Sequence, residues 1–119
     1  MPLLMTFLFA FFLAPVVQAD TFSTVATTGD AATGDYKYAG AAAIGTSVYF
    51  APRYQNNVGI LNVATGVFST VATTGHAATG IFKYVGGAAL GTSVYFAPSY
   101  QNNVGVLNVA TGVFSTVAT

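Results

Sequence analysis

Charge is nearly missing from this sequence. Only 5% of its 119 residues are Asp, Glu, Lys or Arg, against roughly 25% in an ordinary globular protein. Three cations and three anions cancel to a formal net charge of zero. Without a basic excess there is no electrostatic footprint for nucleic acid or for an anionic membrane surface. Little like-charge repulsion keeps copies apart, so poor colloidal solubility is expected. Cysteine is absent altogether, which excludes disulfides, thiolate metal ligands and thiol nucleophiles. His76 is the sole histidine, and one imidazole without a thiol is too few ligands for a zinc or copper site. No Asn-x-Ser/Thr glycosylation site occurs either.

What the chain does have is apolar and aromatic surface. Hydrophobic residues make up 54% and aromatics 14%, which is not the composition of a disordered chain. The first twenty residues read MPLLMTFLFAFFLAPVVQAD. The apolar stretch from Leu3 to Val17 is short for a bilayer span and of the right length for a signal-peptide core, although no Lys or Arg precedes it. Val17 and Ala19 flank Gln18 in the small-x-small pattern of a cleavage site, so residues 1–19 are expected to form a signal helix removed after Ala19. Secretion or display at the cell surface follows, with membrane contact only through an uncleaved signal. Small secreted domains usually offset a thin core with disulfides. Here stability must come from packing repeat on repeat, or from other chains.

The repeat is explicit. FSTVAT occurs at Phe22–Thr27, Phe68–Thr73 and Phe114–Thr119, a period of 46 residues. Aligning Thr21–Gly66 with Val67–Gly112 leaves nine differences: Thr21/Val67, Asp30/His76, Asp35/Ile81, Tyr36/Phe82, Ala39/Val85, Ala41/Gly87, Ile44/Leu90, Arg53/Ser99 and Ile60/Val106. A period in the forties marks a repeat architecture. Within it, Val, Thr, Tyr, Phe and Gly dominate and turn residues recur every 8–12 positions, which predicts strands. Four fit: 37–45, 47–52, 58–64 and 67–73. Gly45-Thr46 and Ala64-Thr65-Gly66 supply tight turns, and 53–57 and 74–80 supply polar loops.

Four antiparallel strands per unit is the pattern of a propeller blade. Ala42-Ala43-Ile44-Gly45, Val48-Tyr49, the Asn62–Gly66 turn and Phe68, each repeated 46 residues later, resemble a Kelch-type repeat. They are also similar to tandem propeller repeats of secreted or surface proteins of unicellular algae. Ala51-Pro52 stands where the Kelch pattern has a double glycine, and Phe68 where it has tryptophan. The resemblance implies a fold and no activity. The expected architecture is all-β: two four-stranded antiparallel propeller-type blades at 29–73 and 74–119, plus one extra outer strand within 20–28 that has no blade of its own. Two blades do not close a ring, which takes four to eight. A fragment of a longer propeller, an assembly of copies and an open β-array all fit the count.

Catalytic chemistry finds no foothold. Serines are plentiful, but no Gly-x-Ser-x-Gly elbow appears, and a general base would have to be His76 or an aspartate. Asp30 and Asp35 lack the alternating oxygen ligands of a calcium loop. No cofactor, metal or catalytic residue is expected. Antiparallel order places Arg53, Asp30, Asp35, His76, Lys37 and Lys83 at one rim, where loops on a rigid scaffold concentrate binding residues. Arg53, Tyr54, Asn56 and Asn57, with Tyr100, Asn102 and Asn103 one period on, form the candidate ligand-binding rim. Aromatic faces beside amides suit a protein or carbohydrate ligand. The expected function is a non-catalytic interaction module. The alternative is a self-assembling structural β-repeat protein, a homo-oligomer or part of a longer array, pairing by its strand edges.

Overall fold

The computed structural model describes residues 21–119. The expected signal helix, 1–19, and Asp20 lie outside the described residues. The described chain is all-β. β1 (Tyr38–Ile44), β2 (Ser47–Pro52), β3 (Asn57–Asn62) and β4 (Val67–Ala72) form one antiparallel sheet in the order 1-2-3-4. β5 (Tyr84–Leu90), β6 (Ser93–Pro98), β7 (Asn103–Asn108) and β8 (Val113–Ala118) form a second sheet in the same way. Among the described residues no helix is long and apolar enough to cross a membrane.

The turns explain why the strands end where they do. Ile44 faces Ser47 across a two-residue link whose Gly45 has φ +58°. At the β3–β4 turn the Asn62 side-chain oxygen accepts the N–H groups of Ala64 and Thr65 at 3.0 and 3.1 Å. The Gly66 N–H donates to the Asn62 carbonyl at 2.8 Å. An asparagine bonding its own following backbone mimics a turn and stops the strand. Asn108 does the same in the second sheet.

The first strand of each sheet carries a bulge that the residues did not predict. Tyr38 pairs with Pro52 but Ala41 with Phe50, so β1 carries an extra residue, and β5 carries the same bulge between Tyr84 and Gly87. Bulges of this kind use a left-handed glycine; Gly40 has φ +79° and Gly86 φ +70°.

The two sheets stack face to face. Tyr49, Ala51 and Val58 of the first sheet share a buried cluster with Tyr84, Val94, Phe96, Leu107 and Phe114 of the second. The edge strands β1 and β5 run side by side. Their bulges meet so closely that a Cβ on Gly40 would lie 2.6 Å from the Gly86 Cα, which no side chain could occupy. Burying the seven larger apolar side chains of this cluster, at about 1.5–3 kcal/mol for each one fully covered, dominates this junction.

The first FSTVAT copy behaves unlike the other two. Phe68–Thr73 and Phe114–Thr119 supply β4 and β8, whereas residues 21–28 form no strand. Phe22 is 92% exposed. The segment is anchored at its end, where the Thr27 hydroxyl donates to the Ala31 carbonyl at 2.8 Å and that of Thr28 to Phe68 at 3.2 Å. Thr73 and Thr74 repeat both bonds, to Ala77 and Phe114. The extra outer strand expected within 20–28 is therefore not formed over residues 21–28, because among the described residues no further strand stands beside the segment to take its backbone hydrogen bonds.

Candidate functional site

The rim is built by two loops per repeat. In the first, the loop after β2 turns back on the segment leading into β1. Arg53 N–H donates to the Lys37 carbonyl at 2.9 Å and Tyr54 N–H to the Tyr36 carbonyl at 3.1 Å. Tyr36 takes a left-handed φ of +48° and Phe82, one period on, +50°. Such angles on aromatic residues cost of order 1–3 kcal/mol and persist only where the surroundings hold them. Here the paired carbonyls hold them.

Asn57 and Asn103 stand inside the sheets rather than on an open rim. Both are buried. The Tyr38 hydroxyl donates to the Asn57 side-chain oxygen and that of Tyr84 to Asn103. Each amide nitrogen donates in turn to Gln55 or Gln101 at 3.1 Å. Burial pushes the Tyr38 and Tyr84 phenols up to about 12, because it disfavours the phenolate.

Between the sheets the first rim is filled by a residue that the candidate set does not contain. Lys83 is fully buried. Its Nζ donates to the Gly80 carbonyl at 2.7 Å, to Asn56 Oδ1 at 2.9 Å and, at the 3.5 Å limit, to the Tyr54 carbonyl. Its backbone N–H donates to the Arg53 carbonyl at 3.1 Å. No carboxylate is among these partners, and burial lowers the Lys83 ammonium below its ordinary value. Arg53 lies against two rings, its Cζ 5.4 Å from the Tyr36 centroid and 4.7 Å from that of Phe82. Its buried Nε has no hydrogen-bond partner.

Four rings run along the rim, two from the first repeat followed by two from the second. Tyr36 and Tyr54 are 5.5 Å apart, Tyr54 and Phe82 5.0 Å edge to face, and Phe82 and Tyr100 5.2 Å. Tyr100 ends the row and is 73% exposed. The fold thus brings Arg53, Tyr54 and Asn56 together against Lys83 and Phe82. It leaves Tyr100 and Asn102 facing outward.

Beside them lies an open cavity of about 410 Å³ lined by His76, Tyr100, Gln101, Asn102, Asn103 and Thr116. Its polar groups are amides, hydroxyls and one imidazole. They suit hydrogen bonding to ammonium, amide or hydroxyl groups, with aromatic faces for the apolar part of a ligand. Among the described residues no group of three or more His, Cys, Asp or Glu gathers as metal ligands would.

Lys83 carried one signal that could have found it: in a chain with three cations, two are Lys37 and Lys83 at the same repeat position. The Gly40–Gly86 approach carried none, since it depends on how the sheets stack. No protein-family model matches the chain, and no curated protein matches it.

Proposed function

We propose that the chain is a non-catalytic, Kelch-like β-propeller segment of a secreted protein. It acts as an interaction module through the rim of its second repeat, Tyr100 and Asn102, with Asn103 held behind them by Tyr84. One observation carries the reading. The shared Tyr-Gln-Asn-Asn loop is closed in the first repeat, where Lys83 occupies its acceptors, and open in the second, where a polar cavity stands beside it. A rim of backbone carbonyls and amides on a rigid sheet selects hydrogen-bond donors, and the aromatic row adds cation–π attraction for a positively charged group. Stacked four-stranded antiparallel units whose first strands lie side by side are consistent with neighbouring propeller blades. The signal-like first nineteen residues support export.

Binding of the purified protein to arrays of glycans and of lysine- and arginine-containing peptides tests this reading. Tyr100→Ala and Asn102→Ala should each abolish the binding that the parent protein shows. Unchanged binding by both variants, or no binding by the parent protein, overturns the rim as a site.

A further inference from the structure

Each sheet has two unlike faces, and among the described residues one face of each takes part in the junction between the sheets. The first sheet presents Tyr49, Ala51 and Val58 toward the second, and all three are buried. Their counterparts on the second sheet are Tyr95, Ala97 and Val104. Tyr95 is 39% exposed against 8% for Tyr49, Ala97 is exposed and Val104 is half-buried. These residues line a shallow open depression with Gly87, Ala88 and Phe96. The receiving face of the junction is Tyr84, Val94, Phe96, Leu107 and Phe114. Its counterparts on the first sheet, Tyr38, Val48, Phe50, Leu61 and Phe68, are identical residues and all half-buried.

The chain therefore carries two half-interfaces whose apolar residues reproduce an interface it already contains. We infer that a second copy docks head to tail, its first sheet on the open face of the second sheet, with its Lys37 held by Asn102 and Tyr100. This inference rests on reading the chain as an interaction module, and it names the partner as the chain itself.

The rim fits this occupant. Lys83 is held by Asn56, Tyr54 and Gly80; one period away the same set is Asn102, Tyr100 and Gly34, with Lys37 as the donor. Lys37 is only half-buried. The bulges fit as well. A Cβ at Gly40 would meet Gly86, whereas a Cβ at Gly86 would meet nothing within 4 Å, the clearance a neighbouring Gly40 would need. Of the nine differences between repeats, Arg53/Ser99 weakens the new junction most, because Ser99 cannot reproduce the stacking of Arg53 on the rings. Pairing an unlike face with an unlike face is heterologous, so it closes a ring or extends a filament.

The first FSTVAT copy occupies the approach. Val25 and Thr27 line a cavity of about 140 Å³ with Tyr38, Phe50, Leu61 and Phe68. An incoming second sheet brings its own outer strand, β8, to that place. β8 holds a ladder with β7 from Asn103↔Ala118 to Asn108↔Val113, while residues 21–28 hold no ladder. The unpaired copy yields its seat.

Sedimentation velocity over a concentration series tests the docking. Lys37→Glu disables the first sheet's face by placing a carboxylate among carbonyl oxygens. Gly86→Asn disables the second sheet's face, because asparagine tolerates a left-handed φ and its side chain points into the open space. Urea midpoints close to the parent's certify both folds. The parent protein should self-associate, and each variant alone should remain monomeric. An equimolar mixture should form a 1:1 heterodimer and nothing larger, since each variant retains the face the other lacks. A monomeric parent, variants that still associate, or a mixture that stays monomeric overturns the inference. Removing residues 21–26 should lower the concentration needed for association; raising it would contradict the displaced seat. Array binding that survives in Gly86→Asn while self-association fails in the parent leaves the interaction module standing without this partner.

Discussion

Two glycines one period apart offer a comparison in which distance and packing disagree. A Cβ at Gly59 would lie 2.8 Å from Tyr38 Cζ and 3.0 Å from Phe68 Cζ. At Gly105 the corresponding distances are 3.0 Å to Tyr84 and 3.1 Å to Phe114. By distance alone Gly59→Ala is the worse substitution. The outcome is set instead by whether the rings can retreat. Tyr84 is fully buried beneath the first sheet and Phe114 nearly so, so Gly105→Ala overpacks a closed junction and should cost about 1–3 kcal/mol. Tyr38 and Phe68 are half-buried beside the 140 Å³ cavity. They can move by a few tenths of an ångström, and Gly59→Ala should cost under about 1 kcal/mol. The loss of unfolded-chain entropy on Gly→Ala, worth about 0.4–1 kcal/mol, applies to both and cancels in the difference. Urea denaturation at a concentration where the protein is monomeric measures it directly. A Gly59→Ala variant as unstable as Gly105→Ala, or more so, refutes the argument that the neighbour's freedom decides the cost.

Lys83→Met keeps the apolar stem and removes the ammonium. It removes the hydrogen bonds to Asn56 Oδ1 and the Gly80 carbonyl, both at exposed residues that water can reach, and relieves the burial of a charge, for a net loss of about 1 kcal/mol in denaturant unfolding. Lys37→Met, the same change one repeat earlier, should stay within about 0.5 kcal/mol in the monomer. Arg53→Ser, which gives the first repeat the residue of the second, removes the guanidinium from two rings and should cost about 1 kcal/mol by the same measurement. Stability should also fall at high pH. The Tyr38 and Tyr84 phenols are raised from 10.0 to about 12, so above pH 10 the unfolded chain releases protons that the folded chain retains. Their contribution is complete below pH 10 and lost as pH rises through about 12. Lys83 acts in the opposite sense, because its lowered value makes stability rise with pH until the unfolded lysine has titrated near 10.5. Urea midpoints between pH 10.5 and 12 therefore report mainly the tyrosines, and absorbance at the phenolate band should show two of them titrating last. A midpoint that does not fall over that interval contradicts the burial of these rings.

Strand positions were legible in the residues because they depend on neighbours in the chain. The predicted 47–52 is the observed β2, and 37–45, 58–64 and 67–73 lie within two residues of β1, β3 and β4. Val, Tyr and Phe favour the pleat, while Asn62 and Gly66 end it through bonds only two to four residues long. The first-strand bulge escaped notice: a glycine in a run of alanines reads as strand until its φ is known. The candidate rim was legible only by loop. Sequence grouped Asn56 with Asn57 as neighbours on one surface, whereas the pleat sends Asn57 inward to Tyr38 and leaves Asn56 to meet Lys83 of the next repeat.

Spacing and composition alone determined the all-β class, the 46-residue unit and the four strands within it. They could not determine burial, because the chain gives both repeats the same residues. Tyr49 and Tyr95 sit in identical SVYFAP strands, and one is covered while the other is not. Phe22, Phe68 and Phe114 begin the same six letters, and only the latter two lie in strands. Burial and pairing are properties of what stands opposite a residue, and that is decided by the order in which the sheets stack. The tertiary structure supplied that order, and with it the difference between a closed junction at Lys83 and an open one at Asn102.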